Sequence, residues 1–500
     1  MISLKNNYKR LFAGVLALAV ISCSNPWDDR ENNDDANLSV TLTEAISNSS
    51  EISQFAALLK ETGYDKVLAA SKTYTVFAPT NAAMAEVDTA ILDDADALKQ
   101  FVANHIALTA YSSVRSEDVR VRMLSNKYLD FEGTSDIDGA TIITADHYAA
   151  NGVFHIIDHA LTPKLNIWEY VNSQAGTSAM ADYLLSLKEF SIYESDIDAK
   201  ALSEEEGAGY RADSLTNSYL KNVYNLNNER NNYTLFLMKD AGYSTEVNKM
   251  KPYTIKVSND VTVDSTAIYA GYFTLRDLAF AKKYKKSELP ASLVSQFGVE
   301  VPIDQTKIVE EIHLSNGIVY IMDQVEVPLS SRLLTRQIEG EKNISFINGP
   351  RSAIKYRDKK DNSLAFYPEP TLFYDVIVTN PGTGRFMLDY NAKDLYSTTY
   401  KVYWRAINDF QTNVINQSLR VAGKFKFEGD TRTVSDLVEH FDPVAVQPNV
   451  YTEVYIGEFT LDTARNLDLI SLIAADNTTN GNNSLTLDYL KFVPQVKPIP

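Results

Sequence analysis

A thirteen-residue stretch occurs twice in this chain, and no other feature constrains the fold as strongly. Asn151-Gly-Val-Phe-His-Ile-Ile-Asp-His-Ala-Leu-Thr-Pro163 returns as Asn316-Gly-Ile-Val-Tyr-Ile-Met-Asp-Gln-Val-Glu-Val-Pro328, with the Asn-Gly pair, the Asp and the closing Pro all displaced by 165 residues. A repeat at that distance means two copies of one domain-sized unit. The Asn-Gly pair is expected to supply a tight turn that tolerates positive φ, and the apolar, β-branched run behind it reads as a strand. The Pro, with no N–H for a ladder, is expected to end that strand.

Upstream of the first copy, Asn48 to Lys66 sets Ile52, Phe55, Leu58 and Leu59 on one helical face and stops at Gly63, which predicts an amphipathic helix. Thr73-Tyr-Thr-Val-Phe-Ala-Pro-Thr-Asn-Ala-Ala-Met84 reads as a strand ending at Pro79, with Thr80 or Asn81 able to cap a short helix beyond it. Taken with Asn104-His105-Ile106 and the closing Asn151–Pro163 stretch, it resembles the fasciclin domain in the order and spacing of three blocks. The resemblance implies an α+β domain, part β-sandwich and part helix, over residues 38–164. It also implies a role in adhesion, and for His105 a packed, hydrogen-bonded core position more than a catalytic one.

His155 and His159 are two of only six histidines and invite a metal reading. On a strand, however, positions i and i+4 lie about 13 Å apart at roughly 3.3 Å per residue, too far to share a zinc ion. No Ser/His/Asp set in local motif context, no His-Glu-x-x-His and no phosphate-binding Gly loop occurs in this repeat. The expected catalytic and metal sets are therefore empty.

Residues 165–335 read as a second, diverged copy. Ala181 to Glu189 repeats the pattern of Ser53 to Glu61, and Asn232 to Ala241 aligns with Thr73 to Ala82. Tyr233, Thr234, Leu235 and Phe236 keep the core pattern, whereas Leu237-Met-Lys239 stands where the first copy has Ala78-Pro-Thr80. An insert near 195–231, rich in Glu, Asn and Ser, is expected to be a surface loop. Lys282-Lys-Tyr-Lys-Lys286 is the one concentrated basic cluster and reads as a solvated helix end.

From residue 340 to 500 the texture turns all-β. Strand-like runs at 344–347, 372–378, 384–390, 400–406, 423–427, 451–459, 467–474 and 485–493 are separated by turn chemistry such as Asn380-Pro-Gly-Thr-Gly384. That predicts a β-sandwich or jelly roll. The run Thr371 to Val378, the run Arg385 to Tyr390 and the ending Leu485-Thr-Leu-Asp-Tyr-Leu-Lys-Phe-Val493 resemble galactose-binding-like jelly rolls used as carbohydrate-binding modules. Sugar sites pair an aromatic face with carboxylate or amide partners. Trp404 with Tyr400, Tyr403, Asn408 and Asp409 is thus a candidate platform, although alternation with Tyr403 also fits Trp404 in the core. Asp476 and the Asn-rich run to Asn483 offer oxygen ligands that calcium would accept, but without EF-hand spacing they read better as a hairpin loop.

The N-terminus carries its own signal. Lys5, Lys9 and Arg10 precede an apolar run from Leu11 to Ile21 that is too short for a comfortable membrane span. Leu18-Ala-Val-Ile-Ser-Cys23 resembles a bacterial lipobox, departing at Ile21 and Ser22, where typical boxes carry two small residues. Cys23 is the protein's single cysteine, which suits a lipid attachment point and leaves nothing for disulfides. Residues 1–22 are then a signal peptide and 23–37 an acidic flexible tether, Asp28 to Asp35 having no apolar content. By resemblance, Ser24 after the cysteine favours the outer membrane, and acidic residues there favour surface exposure.

A formal net charge of −18 disfavours nucleic acid and anionic membrane as partners of the folded body. The expected protein is a lipid-anchored, non-enzymatic surface lipoprotein with two α+β fasciclin-like domains and a jelly-roll-like domain, serving adhesion or glycan and matrix recognition. It would need no cofactor beyond the lipid on Cys23, and its partners would be the membrane and a glycan or protein at the cell surface. The alternative is a structural accessory subunit of an outer-membrane glycan-uptake complex. A hydrolase would require two carboxylates roughly 5 to 9 Å apart in a cleft.

Overall fold

The computed structural model describes residues 39–69, 73–113, 118–132, 135–205, 216–256, 265–359, 373–428, 431–475 and 483–497. Cys23, the tether and most of the 476–483 run lie outside them. The chain divides into two compact units. One takes in residues up to Asn166 with the short segments Asn228–Asn231 and Leu314–Asn316, and the other takes in Ile167–Asn227, Asn232–His313 and the chain from Gly317 onward.

In the first unit the expected strand forms as Tyr74–Pro79 (β1), buried along its whole length. Alternation sends Val76 and Ala78 into a cluster with Phe55, Leu59 and Phe101, and Phe77 into a second cluster with Val121, Phe131 and Ile157. A strand apolar on both faces needs cover on both, and these two clusters are that cover. The other strands are β2 (Ile106–Ala107), β3 (Asp118–Arg122), β4 (Tyr128–Glu132), β5 (Asp136–Ile137), β6 (Ala140–Ala149) and β7 (Gly152–Ile157). They form one seven-stranded sheet in the order β2-β1-β7-β6-β5-β4-β3, with β1 parallel to β7. The helix expected over Asn48 to Lys66 is broken into Ser50–Ile52, Ser53–Glu61 and Tyr64–Leu68, the second break falling where Gly63 turns left-handed at φ 77°. A preceding helix, Leu42–Ser47, starts at a capping box in which Thr41 and Glu44 satisfy each other's backbone N–H groups.

The repeated stretch does form a strand in both copies, but its punctuation works differently from the expectation. Gly152 lies outside the left-handed region, so no positive-φ turn demands it. It is needed because β7 starts against the carbonyl of Tyr74, and a Cβ there would lie 2.4 Å from that oxygen. The second copy repeats the device more severely: a Cβ on Gly317 would lie 2.0 Å from the Tyr233 oxygen, and its φ of +150° is one that glycine adopts readily. Nor does the Pro end the strand, since β7 stops at Ile157 and its counterpart at Met322, six residues before Pro163 and Pro328.

The second copy contributes β8 (Tyr233–Met238), β9 (Ala279–Phe280), a separate hairpin of β10 (Ser292–Val294) and β11 (Glu300–Pro302), then β12 (Ile308–Leu314) and β13 (Gly317–Met322). Its sheet runs β12-β13-β8-β9, with β8 parallel to β13 from Tyr233 opposite Gly317 to Met238 opposite Met322. In the first unit β1 likewise pairs with β7 from Tyr74 opposite Gly152. The insert near 195–231 is not simply a surface loop. It holds the helices Glu194–Glu205 and Ser218–Asn222, and Tyr219, Leu220 and Asp196 are buried. Lys282 to Lys286 connects β9 to a single 3-10 turn and is not a helix end.

Beyond it the chain is a β-sandwich, as expected, though richer in strands. It comprises β14 (Arg336–Glu339), β15 (Ser345–Ile347), β16 (Ile354–Lys359), β17 (Phe373–Val378), β18 (Met387–Leu395), β19 (Thr399–Arg405), β20 (Ile415–Glu428), β21 (Thr431–His440), β22 (Val444–Val446), β23 (Val454–Thr460), β24 (Arg465–Ala474), β25 (Leu485–Leu487) and β26 (Tyr489–Pro494). Its sheets are β14-β26-β19-β23, β15-β18-β24-β20-β21 with β22 beside β20, and β16-β17-β25. The first of its strands lies ahead of residue 340, since β14 pairs with β26. Trp404, Tyr390, Tyr400, Phe386, Phe459 and Phe492 fill the core between sheets.

The sandwich shares its compact unit with the second repeat. Tyr396 donates its hydroxyl to the Arg332 carbonyl (2.9 Å), the Ser397 N–H reaches the Tyr253 carbonyl (2.8 Å), and Lys256 and Lys497 reach the carbonyls of Ala464 (2.8 Å) and Pro252 (2.7 Å). Beneath this seam Arg332 is fully buried between Glu246 (3.4 Å) and Asp277 (3.6 Å). Among the described residues no helix is long and apolar enough to cross a membrane.

Candidate functional site

Period-two geometry sorts the sequence candidates on β19. Tyr400, Val402 and Trp404 point into the core, Trp404 being only 1% exposed, so Trp404 and Tyr400 cannot stack on a ligand. Asn408 is also buried, its amide donating to the carbonyls of Asn413 (2.9 Å) and Val446 (3.3 Å). Asp409 is drawn away from any platform by Arg357 (2.5 Å), which binds Asp375 as well. Burial opposes the Arg357 charge, but the two carboxylates outweigh it and raise its pKa. The platform as first grouped is therefore dismantled, and Tyr403 alone faces outward.

Tyr403 has neighbours that lie far away in sequence. Strand register aligns Gln337 on β14, Lys491 on β26, Tyr403 on β19 and Tyr455 on β23 in one cross-strand row. With strands about 4.8 Å apart, four positions span roughly 14 Å. Tyr455 is 50% exposed, and its ring centre lies 5.4 Å from that of Tyr403 at a 58° tilt. The Lys491 ammonium sits 5.4 Å from the Tyr403 ring centre and is held by Glu453 (2.5 Å), which also accepts from the Tyr489 hydroxyl (2.7 Å). Partial burial opposes ionisation of Glu453, yet the bonds from Lys491 and Tyr489 prevail and its pKa is lowered. The adjoining row places Glu339, Tyr489 and Arg405 side by side. Arg405 is tied to Asp488 (2.7 Å), whose carboxyl burial pushes up to about 6 against the pull of that arginine.

This face offers two tilted aromatic rings for the apolar side of a sugar, with an ammonium, a carboxylate and an amide around them for its hydroxyls. Only Tyr403 of this group was singled out by the sequence. Tyr455, Lys491, Glu453 and Tyr489 were inside predicted strands, but nothing local says that those strands are neighbours.

Of the histidines singled out by the sequence, His105 and His155 are buried and His159 is exposed. His105 is buried, its Nδ1 donating to the Phe101 carbonyl (2.8 Å) and its Nε2 accepting from the Leu161 N–H (2.8 Å), and burial lowers its pKa to about 4. His155 uses the opposite tautomer, with Nδ1 accepting from the Asp146 N–H (3.2 Å) and Nε2 donating to the Tyr111 carbonyl (2.9 Å). His159 is exposed beside Asp158 (2.8 Å). Among the described residues no group of three or more His, Cys, Asp or Glu side chains is arranged to hold a metal ion.

Residues 50–163 match the Fasciclin domain family. A protein of Synechocystis sp., Protein sll1483, is 29% identical over 135 residues, covering 25% of this chain and 75% of its own. Among solved structures, the FAS1 domain pair of the insect cell adhesion molecule Fasciclin I covers 56% of this chain and 98% of its own at 18% identity, with a TM-score of 0.23. The CBM36-1 domain of a multidomain xylanase from the hindgut metagenome of Trinervitermes trinervoides covers 33% of this chain and 100% of its own at 16% identity, with a TM-score of 0.20.

Proposed function

We propose that the protein is a non-enzymatic surface lipoprotein, anchored at the outer membrane through Cys23, that recognises glycan or matrix through its sandwich. The observation that carries this reading is the solvent-facing row Gln337, Lys491, Tyr403 and Tyr455, with Glu453 fixing Lys491. The matching parallel pairs β1/β7 and β8/β13, each begun by a glycine against a tyrosine carbonyl, support a second fasciclin-like domain. Adhesion is what the Fasciclin domain at 50–163 contributes, and many copies on one surface would add avidity to weak individual sites.

The test is affinity electrophoresis of the whole secreted chain against a panel of neutral polysaccharides. Retardation by at least one is expected, and Tyr403→Ala and Tyr455→Ala should each weaken it by about 2 kcal/mol, as truncation of an aromatic anchor does. Both side chains lie outside the core, so thermal stability should hold. Absence of retardation by every polysaccharide, with co-purification of a membrane transporter, would replace this reading with the accessory-subunit one.

A further inference from the structure

A different sheet of the sandwich carries a second constellation. Register aligns Ser345 on β15, Asp389 on β18, Ser471 on β24, Arg420 on β20 and His440 on β21 in a row across one face. Asp389 is fully buried and accepts from the hydroxyls of Ser345 (2.7 Å) and Ser471 (2.7 Å) as well as from Arg432. Arg432, whose side chain is only 5% exposed, uses its other terminal nitrogen toward the Met387 sulfur (3.3 Å) and the Ser471 hydroxyl (3.5 Å).

Arg420 converges on the same sulfur (3.7 Å) and makes no ion pair among the described residues; its Nε is shielded from water without a hydrogen-bond partner. The charges acting on it are Arg432, which repels, and Asp389, which attracts but is already engaged by two hydroxyls and a guanidinium. Burial first, and Arg432 second, lower its pKa. The buried carboxylate is thus committed to Arg432, and the half-buried Arg420 beside it has no carboxylate of its own among the described residues. A thioether is a poor acceptor for either.

We propose that this face binds the acid group of a ligand, a carboxylate or a sulfate, between Arg420 and Arg432. Arginine's planar fork matches either oxyanion in bidentate geometry. The overall charge of −18 does not forbid this. Charges beyond a Debye length of about 8 Å are largely screened, whereas a partly buried contact pair is screened much less. The acid site lies on another sheet from Tyr403 and does not rest on the glycan reading.

Isothermal titration calorimetry of the whole secreted chain with sodium sulfate, sodium acetate and oligogalacturonate tests it. At least one probe should bind, with affinity falling as sodium chloride is added. Arg420→Gln should weaken that probe by about tenfold or more, the loss of one charged hydrogen-bonding partner. Arg420→Lys should fall between Gln and the native residue because it keeps the charge and loses the fork. Binding of sulfate alone identifies a sulfate group, and binding of oligogalacturonate or acetate alone identifies a carboxylate. If no probe binds, or if both variants fold and bind as the native chain does, the proposal is wrong. Tyr403→Ala should leave the sulfate and acetate affinities unchanged, since neither probe carries a sugar ring, which separates failure of this site from failure of the Tyr403 row.

Discussion

Replacing Gly317 by alanine isolates what the repeated stretch is for. The new Cβ would lie 2.0 Å from the Tyr233 oxygen, 2.8 Å from its carbonyl carbon and 3.0 Å from Ile167 Cδ1. The first two contacts are backbone, so no rotamer change relieves them and β13 must move away from β8. Overpacking of this kind costs about 1–3 kcal/mol. Holding a non-glycine residue near φ +150° adds about 1–3 kcal/mol. Together they predict a loss of ~2–6 kcal/mol, a large part of a typical ~5–15 kcal/mol stability. Gly176→Ala is the control within the same compact unit: its φ is +75°, nothing lies within 4 Å of its Cβ, and the left-handed backbone alone costs about 1–2 kcal/mol. Urea unfolding followed by circular dichroism reads the difference, which should move the midpoint by about 1 M or more. Equal midpoints for the two variants would refute the close-approach argument, leaving backbone conformation as the sole reason for the glycine.

Two further outcomes are expected. The His105 imidazole should stay neutral well below pH 6.5, because burial lowers its folded pKa to about 4, whereas exposed His159, its pKa raised by the hydrogen bond it donates to Asp158, should titrate above the usual value; proton NMR of the ring resonances checks both. Since the folded pKa of His105 lies below the unfolded one, its contribution is complete above pH 6.5 and is lost as pH falls toward 4, reaching about 3 kcal/mol there; a His105 resonance titrating near 6.5 would contradict the buried geometry. Replacing Cys23 by alanine should release the protein from membranes into the soluble fraction on ultracentrifugation, and retention would exclude the lipid anchor.

The parts of the fold that were legible are those with a local period. Tyr74 to Pro79 and Tyr233 to Met238 declared themselves because their apolar content leaves no face for water, and both are buried throughout. The alternation of Tyr400, Val402 and Trp404 against Lys401 and Tyr403 already contained the inward turn of Trp404. What failed was everything set by distant partners. Gly152 answers to a carbonyl on another strand, so the Asn-Gly turn chemistry beside it misled. The strand Thr431–His440 has few apolar residues and exists because β20 offers it a ladder. The insert looked like a loop because its charge is high, yet Asp196 is buried by bonds from Asn222 and Lys221. For the candidate site, one aromatic was readable, but the row it belongs to is assembled from four strands spread between residues 337 and 491.

The seam between the second repeat and the sandwich has a bearing on how this protein could evolve. Its acceptors at Arg332, Pro252, Tyr253 and Ala464 are main-chain carbonyls, reached by Tyr396, Ser397, Lys256 and Lys497. A carbonyl is indifferent to the side chain it belongs to, so Pro252 and Ala464 are free to drift while the joint persists, whereas Arg332 and Tyr253 are also held by their own buried side chains. The donors, by contrast, must keep their reach. Descendants of this chain should therefore show rapid divergence at 252 and 464, coupled to retention of a long donor at 256, 396 and 497.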